Sequence, residues 1–170
     1  RVWTTGLFSA SFNAGHFIEE ARMCGVIGFF GIEQPVKTAV DLMTALQHRG
    51  EQSAGAAFAL KDNEFVYERA LGLSTELFGR LRRNRFVHDD VRVGVCHLRY
   101  ATKGARQSLL NAQPLYGRAP WGEFYLCHNG DSPNFDEMRQ DLLSRGAVFS
   151  TDADSEMLVK YIELLSRERD

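Results

Sequence analysis

Two apolar runs joined by a two-residue turn constrain this chain most. Residues 54–60 read Ala-Gly-Ala-Ala-Phe-Ala-Leu, a run with the length of a buried strand. Asp62 and Asn63 follow as turn residues, and Glu64 to Leu71 then alternates, with Phe65, Tyr67 and Arg69 on one side. This is a hairpin, and a hairpin commits the chain to antiparallel pairing. Further strands are expected at residues 24–31, an apolar run bounded by glycine, at Val91 to His97 and at Glu123 to His128. Helical spacing marks Val36, Val40, Met43 and Leu46 behind Pro35, with Gly50 as the stop. Shorter helices are expected from Glu76 to Arg83, from Asn134 to Arg145 and from Ser155 to Arg167. The stretch from Ala101 to Ala119, rich in Gly, Asn, Gln and Ser, reads as a loop. Because the strands are linked mainly by hairpins and not by crossover helices, the expected class is α+β: antiparallel sheet covered by helices.

The chain has 170 residues, enough for one domain with a sizeable core. Its net charge of −2 offers no electrostatic case for binding nucleic acid or an anionic membrane. Three cysteines without paired spacing argue against a disulfide framework and fit a reducing, cytoplasmic setting. The five histidines, at 16, 48, 88, 97 and 128, contain no close pair, so a metal site has little support. No apolar run reaches the eighteen or so residues a membrane span needs. Arg1 opens the chain without a methionine, and Arg167-Glu168-Arg169-Asp170 falls within a helical pattern, so both ends read as the edges of a fragment.

Chemistry enters at Met23-Cys24-Gly25-Val26-Ile27-Gly28. Initiation at Met23 followed by methionine removal would make Cys24 the first residue. Its thiol and its α-amine, of pKa roughly 7.7–8.0, would then place nucleophile and base on one residue. Alternatively, Cys24 is a small buried residue opening a strand. Residues 1–22 lack the features of a signal peptide: Asn13, Gly15 and His16 break their apolar stretch, and Glu19-Glu20 follow.

Four more segments carry polar groups at apparent element ends. They are Gln47-His48-Arg49-Gly50, His97-Leu98-Arg99-Tyr100-Ala101-Thr102-Lys103-Gly104, His128-Asn129-Gly130 and Thr151-Asp152-Ala153-Asp154-Ser155-Glu156. With Cys24 they resemble, in order and spacing, the glutaminase domain of the class II glutamine amidotransferases, a branch of the N-terminal-nucleophile hydrolases. The stretches Leu46 to Gly55 and Asn111-Ala112-Gln113-Pro114-Leu115 are most similar to those of the amidophosphoribosyltransferases; sugar-phosphate aminotransferases usually carry tyrosine where His48 stands. The resemblance runs from Met23 to about Leu165.

It implies a four-layer α/β/β/α sandwich of two antiparallel sheets, incomplete at its C-terminus. Residues 1–22 would be an N-terminal extension, either a propeptide or upstream sequence, and 23–170 a truncated glutaminase domain. It implies hydrolysis of glutamine through a cysteinyl thioester, with no cofactor in this domain. Ammonia would pass to a phosphoribosyl-transferring domain or subunit in a full-length homo-oligomer. Cys24 would attack the amide carbon, while the Asn129 side chain and the Gly130 N–H face the oxyanion. Arg99 would clamp the α-carboxylate through its planar fork. Asp154 would pair with the α-ammonium, Thr102 would line the pocket and Arg49 would lie beside the nucleophile.

Plainer readings stand beside these. Arg99 and Asp154 could form a structural ion pair, and Asn129-Gly130 is also a type I′ hairpin signal. His48, His97 and His128 are each expected to be packed and hydrogen-bonded, not to serve as a general base. Cys96, Cys127, Phe29, Phe30 and Phe124 are expected in strands or core. Asp131 and Ser132 depart from the family pattern after His-Asn-Gly. The competing functions are a sugar-phosphate aminotransferase glutaminase, a stand-alone glutaminase subunit and a non-catalytic glutamine-binding module.

Overall fold

A computed structural model of the chain describes residues 2–4, 23–62, 64–83, 90–100 and 108–168, with backbone alone for 2–4. The larger sheet has five strands: β1 (Val2–Thr4), β2 (Gly25–Phe30), β3 (Ser53–Leu60), β4 (Phe65–Leu71) and β5 (Val91–Arg99). Their order is β1-β2-β5-β3-β4, and every pairing is antiparallel. The hairpin legible in the sequence is β3–β4, with Ala57 opposite Tyr67.

Period-two alternation divides the residues of this sheet between two faces. Ile27, Phe29, Ala54, Ala56, Phe58, Cys96 and Leu98 are buried on one face. Helices α1 (Pro35–Ala45) and α2 (Ser74–Arg83) cover it, contributing Val36, Ala39, Met43, Leu77, Phe78 and Leu81 to the same core. Phe29 lies across the strand from Gly94. A Cβ on Gly94 would sit 2.2 Å from Phe29 Cζ, so the glycine makes the floor on which the phenyl ring rests. That ring also packs, tilted, against Phe58 with centroids 6.1 Å apart.

The opposite face carries Gly55, Tyr67, Arg69, Val93, Val95, His97 and Arg99 by the same alternation. A two-stranded antiparallel sheet, β6 (Leu115–Ala119) and β7 (Gly122–Leu126), approaches it on the β4 side. Tyr125 packs on Phe65 and Tyr67 with ring centroids 5.3 and 4.8 Å away. The far side of β6 is covered by α4 (Asp154–Glu168), and α3 (Phe135–Ser144) packs on α4. The layers are therefore helix, sheet, sheet, helix, as expected. β6–β7 repeats the ring-over-glycine arrangement, since a Cβ on Gly117 would meet Phe124 Cζ at 2.2 Å.

The structure corrects four expectations. Residues 115–119, read as loop, form β6: Leu115, Gly117 and Ala119 alternate inward, and pairing with β7 outweighs the weak strand propensity of Gly, Arg and Ala. Phe30 is 67% exposed because it lies on the face of β2 opposite Phe29. Cys127 lies just past β7 and is half-buried, while Cys96 is buried in β5 as expected. His48 is exposed in a 3₁₀ turn over Gln47–Arg49, not packed.

Candidate active site

β2 and β5 run side by side, with Gly25 opposite Leu98. That register brings Cys24, just before β2, against Tyr100, just after β5. The Tyr100 N–H donates to Cys24 Sγ at 3.3 Å, and the thiol donates to the Tyr100 carbonyl at 3.4 Å. Arg49 comes from the 3₁₀ turn after α1 and donates through Nε to the Cys24 carbonyl at 3.4 Å. Burial pushes the Cys24 thiol up from its ordinary value, against the opposing effects of the Tyr100 N–H and the Arg99 charge. As it stands in this chain, the thiol is held protonated and needs a base.

Cys24 opens into a cleft lined also by Arg99, Gln113, His128, Gly130, Asp154 and Ser155. Arg99, the last residue of β5, is 4% exposed. Burial lowers its pKa, while Cys24, Asp152 and Asp154 pull it back up. Asp154 is the first residue of α4, and a local network fixes its position. Glu156 reaches back through both carboxylate oxygens to the N–H groups of Ser150 and Thr151, at 2.8 and 2.6 Å. Thr151 Oγ1 then accepts from the Ala153 N–H at 3.1 Å. This reciprocal capping locks the turn that presents Asp154. Asp154 is 8% exposed, and its Oδ2 is buried with no hydrogen-bond partner among the described residues. A buried carboxylate oxygen without a donor is costly, so a group bound in the cleft has a donor to supply.

The opposite wall is the segment after β7. Asn129-Gly130 does not form a hairpin: the chain leaves β7 at Leu126 and proceeds through an irregular stretch to α3, and Gly130 lacks the positive φ that a type I′ turn needs. His97 Nε2 lies 3.2 Å from the His128 carbonyl. A carbonyl only accepts, so that nitrogen carries the proton. His97 is fully buried and its pKa falls to about 3, with burial as the main cause. Its Nδ1 has no partner among the described residues. His97 is therefore a neutral structural donor and not a base within reach of the cleft.

Cys24, Arg99, Gly130 and Asp154 thus converge, and Arg49 holds the Cys24 carbonyl. Half-buried Asn129 is next to Gly130 but does not line the cleft. Thr102 lies outside the described residues. Sequence reasoning missed the roles of Gln113, Ser155 and Glu156. The available signals were a glutamine directly before proline, between Ala112 and Leu115, and a Ser-Glu pair in the first turn of α4.

Residues 97–169 match the family described as "Glutamine amidotransferase domain". The layering, the sheet topology and this match define the chain as a glutamine amidotransferase domain with the N-terminal-nucleophile hydrolase fold. Its similarity is to the glutaminase domains of amidophosphoribosyltransferases. An amidophosphoribosyltransferase of Methanocaldococcus jannaschii is 34% identical over 149 residues, covering 86% of this chain and 30% of that protein. The solved glutamine phosphoribosylpyrophosphate amidotransferase of B. subtilis, complexed with ADP and GMP, superposes with a TM-score of 0.68. It is 30% identical, over 81% of this chain and 28% of its own. A glutamine–fructose-6-phosphate aminotransferase of Chlamydia muridarum is 35% identical over 146 residues, covering 86% of this chain and 23% of that protein. The chain spans less than a third of the length of these relatives. Among the described residues, no helix is long and apolar enough to cross a membrane.

Proposed function

We propose that this domain, once it begins at Cys24, hydrolyses glutamine to glutamate and ammonia. The observation that carries the reading is the cleft itself: a thiol, a guanidinium and an unpartnered carboxylate oxygen sit together. These are complements for the amide, the α-carboxylate and the α-ammonium of one amino acid. Sγ attacks the amide carbon and its proton moves to the Cys24 α-amine. The oxyanion faces the Gly130 N–H, and the second donor is assigned to the Asn129 side chain, which must turn into the cleft from beside Gly130; each such donor contributes about 3–4 kcal/mol. The carbon–nitrogen bond breaks as the amine returns the proton to the leaving nitrogen, which departs as ammonia. Water then hydrolyses the γ-glutamyl thioester, giving glutamate and restoring the thiol.

With Met23 attached, the Cys24 nitrogen is an amide and cannot take that proton. The raised thiol pKa removes the alternative of a ready thiolate. Residues 1–22 are thus an extension that must be absent from the active protein. The acceptor of the ammonia is a phosphoribosyl pyrophosphate site in a domain or subunit outside these residues, in a cytoplasmic enzyme of purine synthesis. The named amidophosphoribosyltransferase relatives support that acceptor over a sugar phosphate.

The test compares glutamate release from full-length proteins beginning at Arg1 and at Cys24, with N-termini verified by mass. Activity is expected only from the second, and Cys24→Ala abolishes it. Equal activity with the 22 residues intact, or turnover in Cys24→Ala, overturns the mechanism.

A further inference from the structure

We propose that Gln113 is a positioning residue that sets the oxyanion segment 128–130 against the nucleophile; the inference rests on the glutaminase reading above. The segment has left β7 at Leu126 and has no strand ladder to hold it. Its His128 N–H donates to Gln113 Oε1 at 2.6 Å, and its His128 carbonyl accepts from His97 Nε2 at 3.2 Å. The other end of the same amide, Gln113 Nε2, donates to Ser155 Oγ at 2.8 Å, next to Asp154. One planar side chain, 5% exposed, therefore spans the cleft from the oxyanion wall to the wall that presents Asp154.

The backbone that carries Gln113 is itself fastened to the large sheet. Arg69 Nη1 donates to the Ala112 carbonyl at 2.9 Å, and the Tyr67 hydroxyl donates to the Pro114 carbonyl at 2.8 Å. Asn111 Nδ2 donates to Asp152 Oδ1 at 2.9 Å. Residues 111–114 form a strap that transfers the rigidity of β4 to a segment lacking regular structure. Only a glutamine-length amide offers an acceptor at one end for the His128 N–H and a donor at the other for Ser155.

The experiment uses the full-length protein beginning at Cys24. It measures amide hydrogen exchange at His128 together with kcat and KM for glutamine. In Gln113→Met, which has neither donor nor acceptor, His128 exchange is expected to accelerate at least tenfold. Its kcat should fall at least tenfold, with KM changed less than threefold. Gln113→Glu keeps an acceptor, and should keep the His128 protection and turn over at least threefold faster than Gln113→Met. Tyr116→Phe removes an exposed hydroxyl whose bond, to Glu123 at 3.2 Å, lies outside the strap and the cleft, and should hold kcat within twofold of wild type. Unchanged His128 exchange in Gln113→Met, or an equal kcat loss in Tyr116→Phe, overturns the proposal. Wild-type protein that releases no glutamate would refute the glutaminase reading instead, and the exchange measurement would still decide the positioning role.

Discussion

Replacing Gly55 by alanine probes the strap from beneath. A Cβ at this position would lie 2.1 Å from the Gln113 carbonyl oxygen, 3.0 Å from its carbon and 3.1 Å from Arg69 Cγ. The obstruction is backbone and cannot rotate away. To reach even the 3.0 Å floor of real Cβ contacts, Gln113 must retreat by about 0.9 Å. Lengthened by that amount, its 2.6 and 2.8 Å hydrogen bonds would stand at or beyond the usual limit. Overpacking of this kind costs about 1–3 kcal/mol, equivalent to a fall in Tm of roughly 2–12 °C in a chain of this size. The effect on rate should be larger than stability alone suggests, because a displacement of about 1 Å at a reacting centre costs on the order of a hundredfold. Thermal melting by circular dichroism and glutamate release well below the melting range, on the same preparation, check both. A Tm within 1 °C or so of wild type, with kcat within about twofold, would show that the strap absorbs the methyl group and that the reasoning fails.

His97 should make the fold acid-sensitive. Its pKa is about 3 in the folded protein against about 6.5 unfolded, so the unfolded chain binds the extra proton. Stability is then complete above about pH 6.5 and declines as pH falls towards 3, with a limiting slope near 1.4 kcal/mol per unit. Urea midpoints at pH 7 and pH 5 should diverge for wild type and much less for His97→Asn; matching shifts would refute this. In the chain beginning at Arg1, alkylation of Cys24 by iodoacetamide should be slower at pH 7 than that of a free thiol. It should still be climbing above about pH 9, since burial raises the thiol. A plateau below pH 8 would contradict it. Gln47 accepts from the Ser74 N–H at 2.8 Å and donates to the Gly50 carbonyl at 2.7 Å. Gln47→Ala leaves both unpaired and should cost about 2 kcal/mol in a denaturant titration. Arg99→Lys should raise KM for glutamine at least tenfold while kcat moves less, because a point charge replaces a fork; an unchanged KM removes Arg99 from the pocket.

Local signals foretold local structure. The β3–β4 hairpin and the Pro35 helix start were legible because each depends on residues within a few positions of one another. β6 was not, since Leu-Tyr-Gly-Arg-Ala carries little strand propensity and becomes a strand only through β7 and α4. The candidate site divides in the same way. Cys24, Arg99, Gly130 and Asp154 stand out as polar groups at element ends, and the fold gathers them. The Gln113 network was invisible because its partners lie 15 and 42 residues away, and nothing in a glutamine's neighbours announces what its amide will meet. The unpartnered Nδ1 of His97 and Oδ2 of Asp154 are likewise properties of burial, which no single position displays.

The two phenyl rings resting on glycines bear on how this sequence can change. Phe29 with Gly94, and Phe124 with Gly117, each occupy one volume that two positions share across a strand pair. Neither member varies freely. A side chain at Gly94 requires that Phe29 shrink first, and a smaller residue at position 29 opens a hole that only growth at 94 refills. Each pair therefore behaves as a single inherited character. Substitutions harmful alone become tolerable together, and which of the two arises first decides whether a lineage can cross between ring-and-glycine and its medium-sized alternatives.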